Sequence, residues 1–444
     1  MTHYTEDDLA RYAFDPDAYD SRTEIETHLR LCDDCRETVD FIRTLDGALS
    51  EQTPWDVATD LESAQPLPKS LSDLAGKIHD EQSHARKRLD PLLESLDRFR
   101  AARIEDDPTF HTPGVVRNLA ELAEKRRQQQ PLFALALADA GIAIGTKLKD
   151  AGTLRSASYL GDVWKERAVA LTLIGRFRDA EIAATNAEDH YKADPLATEH
   201  DLAVVQVVRA NLYVETDRLE EAETLASSAA YRFRSFGDTE RFLSARILQG
   251  NIQYTRRDYR NAATLYEELI AVARTATLNI VLARALANAG ESRACLGDYD
   301  IAQRHFAEAY KLWQELGHEI DRVRANWSLS NILLNTGNID DAIDGFTTVY
   351  RDYESLGVIN DAALARLQLA EALLLAERAD EVPQLLNEVV MNFSAEGLMR
   401  NANTALAYVR EAMAANELEP ELIREVRLYL QDLPFSPERA FSRH

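Results

Sequence analysis

Gly297-Asp298-Tyr299-Asp300-Ile301-Ala302-Gln303-Arg304-His305-Phe306-Ala307-Glu308-Ala309 is one copy of a segment that returns along the chain at an almost constant interval. The segments GRFRDAEIAATNA, DRLEEAETLASSA, RDYRNAATLYEEL and GNIDDAIDGFTTV align with it. They place Ala180, Ala222, Ala262, Ala302 and Ala342 in one column at spacings of 42, 40, 40 and 40. A sixth copy, ERADEVPQLLNEV, brings Val382 into the same column 40 residues further on. An aromatic or aliphatic column keeps the phase through Phe177, Leu219, Tyr259, Tyr299, Ile339 and Ala379. So does a column of small residues, Ala168, Ala210, Gly250, Gly290, Ser330 and Ala370. Gly237, Gly317, Gly357 and Gly397 form a fourth column, with Thr277 in the vacant place.

Each copy reads as a pair of helices. Small residues in the first helix let the second approach closely, and the fourth column supplies the left-handed residue that ends a helix. A single pair cannot bury its apolar face, so the copies must stack, and six exceed the three or so that a stable stack needs. With 17 Gly and 13 Pro in 444 residues the chain has few breakers, which favours helix throughout. Phe306, Phe346, Tyr259, Tyr266 and Tyr299 fall in structural columns and read as core between repeats.

The columns resemble the tetratricopeptide repeat, whose pattern is Gly-x-Tyr-x-x-Ala-x-x-x-Phe/Tyr-x-x-Ala across the turn into the second helix. The resemblance covers about residues 155–397, with a degenerate copy at 113–152. The period is longer than that family's basic form and the consensus proline is absent, which implies longer helices. Asn211, Asn251 and Asn331 share one column of the first helices, and Arg284 and Arg324 share another. The resemblance implies that these positions line a concave groove, where Asn bonds a peptide backbone and Arg holds a carboxylate.

At the other end of the chain, His28, Cys32 and Cys35 stand at i, i+4 and i+7, one face of a helix. Zinc takes four ligands in a structural site, usually thiolate and imidazole, so one cation can engage all three with a fourth donor from elsewhere. His3 is that candidate. Leu9, Tyr12 and Phe14 give one apolar side to a short helix, and after an Asp-Pro break a second helix starts near Arg22. So small a core needs help, and zinc supplies roughly 10 kcal/mol or more of folding free energy in zinc-finger peptides.

These words, LARYAFDP and IETHLRLCDDC, resemble the zinc-binding anti-sigma factor domain of bacteria, with its upstream ligand followed by His-x3-Cys-x2-Cys. The resemblance covers residues 1–50 and implies zinc bound by His3, His28, Cys32 and Cys35, and a sigma factor as partner. Residues 1–65 hold 17 Asp/Glu against 5 Lys/Arg, a net −12, which suits a basic partner. Two thiolates three residues apart could also oxidise and release the metal; a structural role is the simpler reading.

Prolines 54, 66 and 68 mark a linker over 51–70, followed by a connecting helical region at 71–112, the array at 113–397 and capping helices at 398–444. The whole is therefore expected to be all-α, a small zinc-binding helical domain before a right-handed α-solenoid of 6 to 7 repeats.

A net charge of −25 argues against a phosphate-tracking surface, so no direct nucleic-acid contact is expected. The most apolar run, Leu132 to Ile144, is shorter than the 18 to 20 or so residues of a membrane span, and MTHYTEDDLARY lacks the basic and apolar regions of a signal peptide. A cytoplasmic protein without membrane contact is expected. Three cysteines are too few for a disulfide framework, and Cys295 reads as a packed thiol. GIAIGTKL has the wrong glycine spacing for a phosphate loop, and the remaining histidines stand apart from other metal-ligating residues. No enzyme is expected. The function that follows is a soluble anti-sigma-like adaptor, with a second protein or peptide in the groove. Its rival is an interaction scaffold with a purely structural zinc module and no sigma partner.

Overall fold

The computed structural model describes residues 69–386 except 154 and 196, residues 399–433 except 416, and residues 389 and 441. Near the N-terminus it describes residues 4, 9, 12, 22–30, 32, 35, 36 and 39. The chain forms two compact units, residues 1–77 and residues 78–444.

In the first unit, α1 (Arg22–Leu29) starts where the sequence places it. Its buried Ile25 meets Leu9, Tyr12, Cys32, Cys35 and Val39, with Tyr4 and Leu29 at the edge. Phe14 and the linker prolines lie outside the described residues.

Helix α2 (Lys69–Leu89) is followed by α3 (Leu96–Ala102), α4 (Pro113–Arg126) and α5 (Pro131–Asp150). Thr112 caps α4 by accepting from the Val115 amide, and Pro113 occupies the first turn, where no amide donor is needed. The α4–α5 pair occupies the stretch where a degenerate copy is expected. Helix α5 continues six residues past Ile144, so its 20 residues are long and apolar enough to cross a bilayer, contrary to the expectation from the shorter run. Half of that stretch is buried inside the protein, where Gly141 and Gly145 lie against Val163 and Leu160.

Then come the regular pairs: α6 (Ser156–Leu173) with α7 (Phe177–Ala193), α8 (Glu199–Glu215) with α9 (Leu219–Ser235), and α10 (Thr239–Thr255) with α11 (Tyr259–Thr275). They continue with α12 (Asn279–Cys295) and α13 (Tyr299–Leu316), α14 (Glu319–Asn335) and α15 (Ile339–Ser355), and α16 (Ile359–Leu375). The second helix of the sixth pair opens with a 3-10 turn at Ala379–Glu381. Helices α17 (Met399–Ala415) and α18 (Pro420–Asp432) follow, and no strand occurs among the described residues.

The small-residue column works by direct contact. A Cβ on Gly250 would meet the Tyr266 ring at 2.4 Å, and one on Gly290 would meet the Phe306 ring at 2.9 Å. Each of these rings is 1% exposed, and burial of one stabilises by roughly 1.5–3 kcal/mol. Where the second helix instead offers Ala184 or Ala226, the first helix offers Ala168 or Ala210, so the gap is filled from both sides.

Apart from the turn between α7 and α8, where Asp194 is extended, the turns of the regular pairs end in a left-handed residue. Between pairs this is Gly237, Thr277, Gly317 or Gly357. Within pairs it is Gly175, Asp217, Arg257, Gly297, Gly337 or Glu377. The following amide bonds back to the last turn, as Asp298 N does to Arg293 O at 2.9 Å.

Candidate functional site

The α-helical bonding continues past α1: Cys32 N donates to His28 O at 2.9 Å and Arg36 N to Cys32 O at 3.2 Å. This keeps the helical phase, so His28, Cys32 and Cys35 converge with their ligand atoms all within 4.8 Å of one another. His28 Nε2 and Cys35 Sγ are 3.3 Å apart. Ligand atoms of a tetrahedral zinc are about 3.6 Å apart, given bonds of 2.0–2.3 Å, so the donors and their spacing fit such an ion. Cys32 and Cys35 are buried, and Tyr4 meets the His28 ring edge-on at 5.0 Å between centroids. These three residues could hold a metal. His3 lies outside the described residues.

The positions read as a groove divide in two. Asn251 is already engaged: its Oδ1 accepts from Tyr266 Oη at 2.6 Å and from Asn288 Nδ2 at 2.9 Å. Asn331 Oδ1 accepts from Gln368, whose own Oε1 accepts from Trp327. Asn211 is exposed and donates to Val207 O of its own helix at 2.9 Å. The acceptor column also contains Glu291, which accepts from Ser328 Oγ at 2.6 Å. Sequence reading missed the donors Asn288, Ser328 and Gln368, although they share a column of their own with the same 40-residue period.

Arg284 and Arg324 are both exposed. Arg324 bonds Asp321 of its own helix at 3.0 Å. No ion pair of Arg284 occurs among the described residues. Crowding by neighbouring helices lowers its pKa, against the pull of Asp321 and Glu240. Burial in the same way raises the pKa of Glu291, opposed by Ser328 and Arg324. The two arginines are thus the open members of the set and the asparagines largely are not.

Cys295 is exposed, which corrects its reading as a packed thiol. It ends α12 beside Tyr254, whose hydroxyl is 3.5 Å from its sulfur.

No family model matches the chain, and no curated protein matches it. Among solved structures, aspartyl phosphate phosphatase F from Bacillus subtilis is 15% identical with a TM-score of 0.50, covering 83% of this chain and 96% of that one. NprR in complex with its cognate peptide NprX is 15% identical at a TM-score of 0.47, over 81% of this chain and 99% of that one. The Rap conjugation gene regulator of the plasmid pLS20, in complex with the Phr* peptide, is 11% identical at 0.49, over 74% and 98%. The fold is TPR-like. At these identities the likeness concerns architecture, and the function rests on the residues.

Proposed function

We propose that this protein is a cytoplasmic regulatory adaptor: residues 1–50 fold around a zinc ion and engage a sigma factor, and the repeat array takes a second protein or peptide on its concave face. The observation that carries the reading is the convergence of His28, Cys32 and Cys35. Zinc, held by these three and by His3, would supply folding free energy rather than chemistry. Burial of both thiols favours that structural role over a redox switch. The sigma partner follows from the resemblance of this segment to the anti-sigma module and from its net −12 charge, which suits a basic protein.

On the concave face, Arg284 and Arg324 are exposed, as is Glu291 between them, and the two arginines suit a carboxylate of the ligand. No catalytic role is assigned to any residue, and the two modules together describe a switchable contact between proteins.

Affinity purification of the tagged full chain from its native cells, with mass spectrometry of the partners, tests this function. A sigma factor recovered with the wild type and lost with Cys32→Ser/Cys35→Ser supports it. Recovery of the same partners by both chains, with no sigma factor among them, replaces it by the scaffold reading.

A further inference from the structure

Helix α16 differs from the other first helices. From Ala362 to Leu373 every residue is buried, on all faces. In α12 and α14 the register read as the groove is open at Arg284, Glu291 and Arg324. The α16 residues in that register are Leu364 and Glu371, respectively 40 residues beyond Arg324 and 80 beyond Glu291.

Helix α18 lies against them. Arg424 reaches Glu371 Oε1 from Nε at 2.7 Å and from Nη2 at 2.6 Å, and the Glu371 side chain is 2% exposed. Leu422, Ile423, Val426 and Leu430 join Leu364 and Leu367 in one apolar cluster. Glu371 continues the acceptor column Asn251, Glu291, Asn331. Each of those accepts from the next repeat's first helix, 37 residues on. The residue 37 beyond Glu371 is Tyr408, which is 39% exposed, and the arginine of α18 serves Glu371 instead.

The polar centre of this contact is incompletely satisfied. Glu371 Oε2 and Arg427 Nε are buried 4.0 Å apart, and neither makes a hydrogen bond. A buried ion pair returns little against its desolvation, and unsatisfied buried atoms oppose docking further. Helix α18 has 13 residues, too few for a stable helix once detached.

We propose that α18 is a self-docked occupant of the concave face at the C-terminal end of the array. It leaves as a unit and uncovers Glu371 for an arginine-bearing helix of a partner. The inference rests on the reading of the concave face as the binding surface, and its test uses no partner, so it fails or succeeds independently of the sigma contact.

Native-state hydrogen exchange on the full wild-type chain is the first arm. Amides of α18 should exchange about 100-fold faster than those of α12 and α14, because α18 opens before the array unfolds. Glu371→Gln, which keeps the side-chain shape, should speed α18 about tenfold further and leave α12 and α14 unchanged. In the second arm, a fluorescein-labelled peptide of residues 417–433 should bind the full chain carrying Arg424→Glu/Arg427→Glu and not the wild type. Equal exchange of α18, α12 and α14 overturns the proposal, since α18 then leaves only on global unfolding. So does a peptide that binds neither chain. Should the double variant fail to fold, exchange in the wild type and Glu371→Gln decides.

Discussion

Asn288 donates to Asn251 at 2.9 Å from the first helix of the next repeat, across a separation of 37 residues. The same separation joins Ser328 to Glu291 and Gln368 to Asn331. The result is a ladder of side-chain bonds running between successive first helices, on the register that the sequence offers as a peptide-binding groove.

Asn251 is the rung with the most to lose, because Tyr266 and Asn288 both donate to it. Asn251→Ala leaves two part-buried donors without their acceptor and should destabilise by about 1–3 kcal/mol. Asn211→Ala removes an exposed bond within one helix and should change stability by about 0.5 kcal/mol or less. The urea midpoint followed by helical circular dichroism measures both, and equal effects of the two substitutions would refute the ladder's structural weight.

Tight helix pairing at Gly250 makes an opposite pair of predictions with the turn at Arg257. Gly250→Ala drives a methyl into the Tyr266 ring and should cost about 1–3 kcal/mol by overpacking. Arg257 has a φ of 62°. Arg257→Gly relieves the left-handed strain of a side chain and should stabilise by up to about 1 kcal/mol. Thermal unfolding should order the chains as Arg257→Gly, wild type, Gly250→Ala.

Acid sensitivity should be traceable to Glu267, whose carboxyl is hydrogen-bonded to Arg293 at 2.7 and 2.8 Å. That bonding outweighs desolvation and, with the Arg293 charge and His305, holds the Glu267 pKa below the ordinary glutamate value. A lowered folded-state pKa adds stability above the unfolded value, near 4.3, and this is lost as pH falls through the folded value. Glu267→Gln should therefore lower the unfolding temperature at pH 7 and converge on the wild type as the pH is taken below about 4. A gap that persists unchanged into acid would mean the pair contributes by packing rather than by charge.

The repeats were legible because their columns answer to contacts that tolerate few substitutes. A residue opposite the Phe306 ring must be small, and Gly290 is; a helix end between pairs must turn left-handed, and Gly317 does. The turn within pairs was harder to read, because Asp217, Arg257 and Glu377 adopt the same left-handed conformation with side chains that carry no sign of it. The candidate metal group was legible because helical phase by itself aligns His28, Cys32 and Cys35.

The ladder was read only in part. Periodicity places Asn251 and Asn331 in one column, but their partners 37 residues on depend on how closely successive first helices approach, which no local pattern encodes. Cys295 was misread for a related reason: the end of α12 is open where the middle of the helix is packed. The α16–α18 contact was illegible too, because the repeat columns end at Val382 and Gly397 and no column carries Arg424 to Glu371.

Metal analysis of the purified full chain is the most direct test of the central claim, that His28, Cys32 and Cys35 hold a zinc ion on which the N-terminal fold depends. Elemental analysis by mass spectrometry should find one zinc per chain in the wild type and none in Cys32→Ser/Cys35→Ser. That variant should lose amide protection over α1, residues 22–29, while the array, α6 to α16, keeps its own. A wild-type chain that carries no zinc after purification without chelators, takes none up from micromolar zinc, and still protects α1 would contradict the account.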